Sequence, residues 1–309
     1  MHKEHRPALV YWVLAAGMMS FSFSPILIRF AGSEIGGEAH GLTVAVWRTV
    51  MATVALAPFA WVRARAEIKA FERREWYLIL SAGVLLGMHF VLWIESLYHT
   101  TVAAASVLVT TSPVFLAVLG YIFLKERLSK PINGAILLAV AGAATIGVGD
   151  MLEGSGAGTL FGNGLALLGS FFFSVYLLVG RVVRQKRSWL AYVFPLYTVA
   201  AATTLLIALL LNAPLWGFPP LFYLLCAGLA LGPQIMGHGS FNYAVRYFSA
   251  ALIGLLGLIE PVGASLLAYV IFDEVPSTIA MVGMLVVLVA IAFVVLYHRR
   301  TQPAIPITD

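Results

Sequence analysis

Hydrophobic runs long enough to cross a bilayer dominate the chain, and polar residues gather in the short intervals between them. A helix rising about 1.5 Å per residue needs about 20 mostly apolar residues to traverse the hydrocarbon. Ten such runs are present, at 9–30, 42–62, 76–97, 101–123, 131–149, 159–180, 190–211, 220–243, 249–272 and 277–297. They predict an all-α polytopic membrane protein with ten transmembrane helices. The first run follows the charged stretch MHKEHRP, but it is longer than a usual signal-peptide core and no small-x-small cleavage site follows, so it is expected to be retained.

Two of these runs carry the same pattern. TVAAASVLVTTSPVFLAVLGYIFLKERL (Thr101 to Leu128) aligns without a gap on SAALIGLLGLIEPVGASLLAYVIFDEVP (Ser249 to Pro276), pairing Pro113 with Pro261, Ala117 with Ser265, Tyr121 with Tyr269 and Glu126 with Glu274. Small residues recur every three or four positions, at Ala103, Ser106, Pro113, Ala117 and Gly120, and at Ala251, Gly254, Pro261, Ser265 and Ala268. In lipid such a stripe lets helices approach closely, so Pro113, Ala117, Gly254 and Pro261 are candidate helix-break and packing positions, with Leu252 off the stripe. A second match lays AGMMSFSFSPILIR (16–29) over LGSFFFSVYLLVGR (168–181). The chain is therefore expected to divide into a five-helix repeat over 1–151 and another over 152–309, forming one integrated membrane domain. Five is odd, so the second half enters the membrane from the opposite side, and the repeats are inverted.

Composition agrees with a membrane protein: 61% of the 309 residues are hydrophobic and 11% charged, with a mean hydropathy of +0.93. A soluble domain is nearer 45–50% apolar and about 25% charged. The net charge of +5 is informative only through its distribution. With the N-terminus in the cytoplasm, every Lys and Arg except Arg29 and Arg48 falls in a cytoplasmic segment. That division predicts both termini inside, and nucleic acid is not an expected partner. The single cysteine, Cys226, lies within an apolar run and excludes an intramolecular disulfide. Walker A, G-x-G-x-x-G, G-x-S-x-G and H-E-x-x-H signatures and Cys/His clusters are absent, so no enzyme, ATP-driven pump, cofactor or metal site is expected.

The paired segments SLYHTTVAAASVLVTTSPVFLAVLGYIFLKERL and AVRYFSAALIGLLGLIEPVGASLLAYVIFDEV resemble the duplicated signature of the EamA branch of the drug/metabolite transporter superfamily. The first copy carries it as His99, Thr101, Ala103 to Ala105, Pro113, Glu126, Arg127 and Gly134, and the second as Tyr247, Ser249, Ala250, Ala251, Pro261, Glu274 and Gly283. The second copy departs from it at Val275, where Arg127 stands in the first, and by one extra residue before Gly283. The resemblance implies a ten-helix secondary transporter of the bacterial cytoplasmic membrane. In it, the first four helices of each half surround a central cavity and the fifth lies outside. Members move amino acids, other metabolites and some drugs, commonly outward.

Ionisable residues inside the runs are the sharpest chemical signal, because a charge at mid-helix costs about 2.5–3.5 kcal/mol on insertion scales and must face protein or water. They are Arg29, Arg48, His89, Glu95, His238 and Glu260. Counting from the predicted ends puts Arg29, Arg48 and Glu95 in the outer third and Glu260 near the midplane. Glu260 precedes Pro261, which frees a carbonyl of the preceding turn, and it sits beside the small residues Gly257 and Ala264. It suits a substrate amine or a proton, or else braces two helices; its first-half counterpart is Ser112. Arg29 and Arg48 are placed either to attract a substrate carboxylate or to pair with Glu95 or snorkel to headgroups. His89 and Glu95, about 240° apart around a helix, do not form one site. His89 and His238 are candidate proton relays or buried histidines satisfied by a backbone carbonyl. Trp93, Tyr98, Tyr176 and Tyr243 either line a cavity or anchor helix ends at the interface.

These features point to a transporter of small metabolites, best matched by amino acids or related amphipathic compounds, moved by alternating access and most naturally outward. A membrane enzyme acting on a lipid-linked substrate is the rival reading, and a structural membrane subunit a third; a homodimer is a candidate assembly. Inverted duplication favours transport, since exchanging the conformations of two halves is what alternating access requires.

Overall fold

The computed structural model describes residues 9–34, 41–100, 105, 108–152, 160–273 and 275–301. Among the sequence-flagged positions, Thr101, Ala103, Ala104, Ser106 and Glu274 lie outside the described residues. Every element among them is helical: α1 (Leu9–Ser22), α2 (Ser24–Glu34), α3 (Gly41–Arg63), α4 (Arg65–Lys69), α5 (Arg73–His99), α6 (Ser112–Leu124), α7 (Lys130–Leu152), α8 (Leu160–Val183), α9 (Trp189–Leu210), α10 (Pro220–Leu229), a π-helical segment (Ala230–His238), α11 (Gly239–Ala244), α12 (Ala250–Gly257), α13 (Ile259–Phe272) and α14 (Thr278–Thr301). In hydrocarbon the backbone has no water to bond, which forces each crossing into a helix that satisfies its own N–H and C=O groups. Eight helical stretches are long and apolar enough to cross a membrane, and two shorter apolar helices, Ser112–Leu124 and Lys130–Ile146, bring the set to ten.

Local sequence sets the boundaries. Ser188, Ser249 and Ser277 each accept from a backbone N–H three residues on, at 3.4, 3.3 and 3.0 Å, supplying an acceptor for a donor the first turn leaves free. Glu72 and Glu75 form a reciprocal capping box at the start of α5. Lys125, Asn212 and Asp273 take left-handed backbone just after α6, α9 and α13, the conformation that closes a helix C-terminus.

The bundle interleaves the two halves of the chain: α5 packs on α8 and α9, α3 on α9, α1 on the π segment and α13, and α12 on α6. The last long helices of each half, α7 and α14, pack chiefly on one another. There Gly142 and Gly283 meet so closely that a Cβ on Gly283 would lie 2.6 Å from the Gly142 carbonyl oxygen. Large apolar side chains such as Trp12, Phe123 and Leu224 point outward, as a surface bathed in lipid requires. Buried hydroxyls tie helices together inside: Thr49 Oγ1 lies 3.0 Å from Thr204 Oγ1, and Ser174 donates to the Ser112 carbonyl at 3.3 Å.

Polar contacts gather at the two ends of the bundle. At one end Arg187 donates Nε to Glu75 Oε1 at 2.6 Å and Nη2 to Oε2 at 2.5 Å. Ser188 N donates to Glu67 at 2.8 Å, Arg181 Nε to Glu126 Oε1 at 3.0 Å, and Arg181 Nη1 to the Arg246 carbonyl at 2.9 Å. The hydrogen-bonded Glu75 carboxylate raises the Arg187 pKa above its ordinary value. Arg184 is buried there and bonded to the carbonyls of Asn242 and Arg187. At the other end Thr43 and Trp47 donate to the carbonyls of Pro214 and Leu215, both at 2.9 Å, and Thr100 donates to Asn163 Oδ1 at 2.7 Å.

Candidate functional site

Four helical crossings are interrupted, and their interruptions face one another. α1 and α2 break at Phe23, α6 begins after a turn at Thr110 and Thr111, the crossing from Pro220 to Ala244 widens into the π segment, and α12 and α13 break at Leu258. Phe21 and Ser24, Thr110 and Ser112, His238, and Gly257 and Glu260 flank these breaks, and all line one cavity. Arg48 on α3, His89 and Trp93 on α5, Phe173 on α8, Phe241 on α11 and Gly254 on α12 complete it together with Val109. The cavity offers about 50 Å³ to water-sized occupants. At about 10–15 Å³ per water that is room for roughly three to five waters. In this conformation it is too tight for a metabolite.

Each charged or polar wall has a definite environment. Arg48 is 1% exposed; its Nε donates to Gln234 Oε1 at 3.0 Å, and its guanidinium lies 4.2 Å over the Phe90 ring. Gln234 is itself anchored, because its carbonyl accepts Tyr197 Oη at 2.7 Å. His89 Nδ1 lies 3.0 Å from the Gly169 carbonyl; a carbonyl only accepts, so Nδ1 carries a proton. His238 Nδ1 lies 3.0 Å from Tyr176 Oη. The two imidazoles are 5.7 Å apart within an aromatic box, with Phe173 5.3 Å from His89 and Phe21 5.0 Å from His238. Glu260 opens α13 beside Pro261 and forms no ion pair with Arg48 among the described residues. A guanidinium and a carboxyl group therefore face one cavity without pairing directly with each other.

Of the residues flagged from sequence, Glu260, Arg48, His89, His238, Trp93 and Gly254 meet at this cavity. Arg29 and Glu95 do not line it: Arg29 is exposed, and Glu95 Oε1 lies 3.2 Å from His99 Nε2, one helical turn along α5. Arg48 was expected in the outer third and Glu260 at the midplane, yet the fold brings both to the same space. Ala117 packs against the core of the bundle, and a Cβ on Gly254 would lie 2.6 Å from Leu116 Cδ1 and 3.5 Å from Pro113 Cα. Leu252, expected off the packing stripe, is itself buried, because the short helix α12 is enclosed by neighbours on every side. Tyr176 is buried beside His238, whereas Tyr98 is exposed. Gln234 escaped the sequence reading, which weighed only charged and histidine side chains. Its signal was a lone amide beside Pro233 in an apolar run.

A model of the EamA-like transporter family matches residues 8–148 and again 160–296. The chain belongs to this family. It is 29% identical over 277 residues to the probable terminal-alkyne amino-acid exporter of Streptantibioticus cattleyicolor, covering 88% of this chain and 89% of that protein. It is 24% identical over 285 residues to the pseudopaline exporter CntI of Pseudomonas aeruginosa, covering 90% and 93%. Mouse solute carrier family 35 member G1 is 26% identical over 294 residues, covering 91% and 76%. A solved crystal structure shares the fold at a TM-score of 0.76 and 18% identity, over 96% of this chain and 100% of that one. The protein is thus a multi-pass membrane transporter, and the cavity between its interrupted helices is where a cargo-binding site of such a protein is sought.

Proposed function

We propose that this transporter carries small amino-acid-like zwitterions out across the bacterial cytoplasmic membrane, with Arg48 and Glu260 meeting the cargo's carboxylate and amine. The observation that supports this most is a guanidinium and a carboxyl group facing one cavity without pairing to each other. Burying either charge is expensive, and a zwitterion supplies both complements in one molecule. The probable terminal-alkyne amino-acid exporter among its relatives supports the same substrate class, and it and the pseudopaline exporter support the outward direction. Alternating access follows if the halves 1–151 and 152–309 exchange conformations about the breaks at Phe23, Thr110–Thr111 and Leu258 and about the π segment. His89 and His238 are candidates for carrying a coupling proton.

The test is counterflow of radiolabelled amino acids into proteoliposomes holding wild-type protein or Glu260→Gln. At least one amino acid is expected to accumulate with wild-type protein, well above its decarboxylated amine. Glu260→Gln is expected to reduce that uptake at least tenfold while leaving the melting temperature nearly unchanged. Uptake at the wild-type rate by Glu260→Gln, or no discrimination between zwitterion and amine, would overturn the reading.

A further inference from the structure

Three buried N–H groups around the cavity have no hydrogen-bond partner among the described residues: Nη1 of Arg48, Nε1 of Trp93 and Nε2 of Gln234. Leaving a buried donor without an acceptor is costly, and such groups are uncommon enough in folded proteins that each calls for a reason. The first two belong to side chains lining the cavity, 1% and 5% exposed. Their placement is fixed from several sides. Arg48 has its Nε committed to Gln234 and one guanidinium face to Phe90, which leaves its Nη1 edge unspent. Trp93 lies three residues beyond Phe90 on α5, on the same helix face, and its indole stacks on His89 at 6.3 Å and 6°.

We propose that Arg48 Nη1 and Trp93 Nε1 form the subsite that takes the cargo's carboxylate, and that Gln234 is the positioning residue that orients the guanidinium toward it. This rests on the zwitterionic-cargo reading above and names the groups that read one end of that cargo. A carboxylate accepts through two oxygens and donates nothing, so it complements two N–H groups from different side chains. One guanidinium beside a neutral indole supplies a single positive charge, which suits a monoanion better than a phosphate. Gln234 belongs to this arrangement because its side chain bonds Arg48 while its carbonyl is held by Tyr197. The donor atoms are buried beside the narrow cavity seen here, so the carboxylate enters when the cavity widens and then supplies their acceptors.

The test measures how strongly two matched pairs, leucine with leucinamide and isovalerate with isovaleramide, protect the purified full-length protein against thermal unfolding. In wild-type protein each acid is expected to act at concentrations at least about tenfold below its amide, as one charge-assisted hydrogen bond implies. Trp93→Phe keeps the ring and removes the donor; Gln234→Glu places a competing anion on Arg48. Both are expected to shrink the acid-to-amide ratio at least about fivefold, and Gln234→Glu reads it without touching the indole. A purely structural role would weaken acid and amide alike, so an unchanged ratio in both variants overturns the subsite. Isovalerate protection that depends on Trp93, with no further gain from leucine, would keep the subsite and sink the zwitterion reading. Leucine counterflow with a flat acid-to-amide ratio would do the reverse.

Discussion

At the scale of single residues, the protein spends its small side chains where helices touch. A Cβ on Gly17 would fall 1.9 Å from Ser240 Oγ, and one on Gly263 2.0 Å from Ser22 Oγ, so α1 crosses α11 and α13 at distances only glycine permits. Gly254 makes the equivalent contact between α12 and α6, with Leu116, itself 1% exposed, directly beneath it. Leu116 has no room to retreat. Gly254→Leu is therefore expected to cost about 1–3 kcal/mol through overpacking and to reduce transport, since Gly254 also borders the cavity. Leu266→Phe is the suitable control, because Leu266 on α13 faces outward at 55% exposure. A detergent thermal-shift series alongside counterflow checks it, and equal losses from both changes would remove the packing argument.

At the scale of elements, the crossings were legible in the sequence and their interruptions only in part. A run of about 20 apolar residues is a property of composition, and nine of the ten read from hydropathy agree with the helices to within a few residues, while 101–123 coincides with α6 only from Ser112 and begins outside the described residues. The turn at Thr110–Thr111 and the break at Leu258 fall just before Pro113 and Pro261, the prolines the sequence offered as helix breaks, whereas the break at Phe23 before Pro25 and the π segment around Pro233 were not anticipated. The same division holds for the cavity. Arg48, His89, His238 and Glu260 were flagged because charge and imidazole are costly in lipid, whereas Arg29 and Glu95 met that criterion near helix ends, where exposure and a neighbouring His99 accommodate them. Hydropathy gives depth along a helix but not the face it turns. The π segment is where this matters most, because Pro233 has no N–H and would clash with a carbonyl of the preceding turn of an α-helix, and widening the turn relieves it. Pro233→Ala restores the donor and lets Ala230–His238 tighten toward α geometry, rotating Gln234 away from Arg48. The melting temperature is expected to hold or rise while counterflow falls several-fold. Unimpaired counterflow in a variant of normal stability would show that the widened turn is not needed.

At the scale of the whole molecule, the two ends of the bundle are chemically unlike, and that asymmetry gives the orientation a testable form. The segments around Glu67 and Glu75, around Glu126, from Arg181 to Ser188 and at Arg246 are joined to one another by ion pairs and charged hydrogen bonds. They therefore lie on one side of the membrane. The starts of α3 and α8, the end of α5 and the 213–216 turn are joined on the other by hydroxyl, indole and amide groups without a Lys or Arg among the contacts. Basic residues are retained in the cytoplasm during insertion, so we propose that the Arg-rich end, with both termini, is cytoplasmic. Cys226 is buried, and a Cys226→Ala background leaves introduced cysteines as the only reactive thiols. In intact cells an impermeant maleimide is expected to label cysteines at Gly37 and Ser155 and to spare those at Ala66 and Gln185 until the membrane is opened. Gln185 is the most informative of the four, because it donates to the Arg246 carbonyl at 3.2 Å from an exposed position within the basic end. Labelling at Gln185 and Ala66 in sealed cells, with Gly37 and Ser155 protected, would invert the protein in the membrane and with it the outward direction proposed for transport.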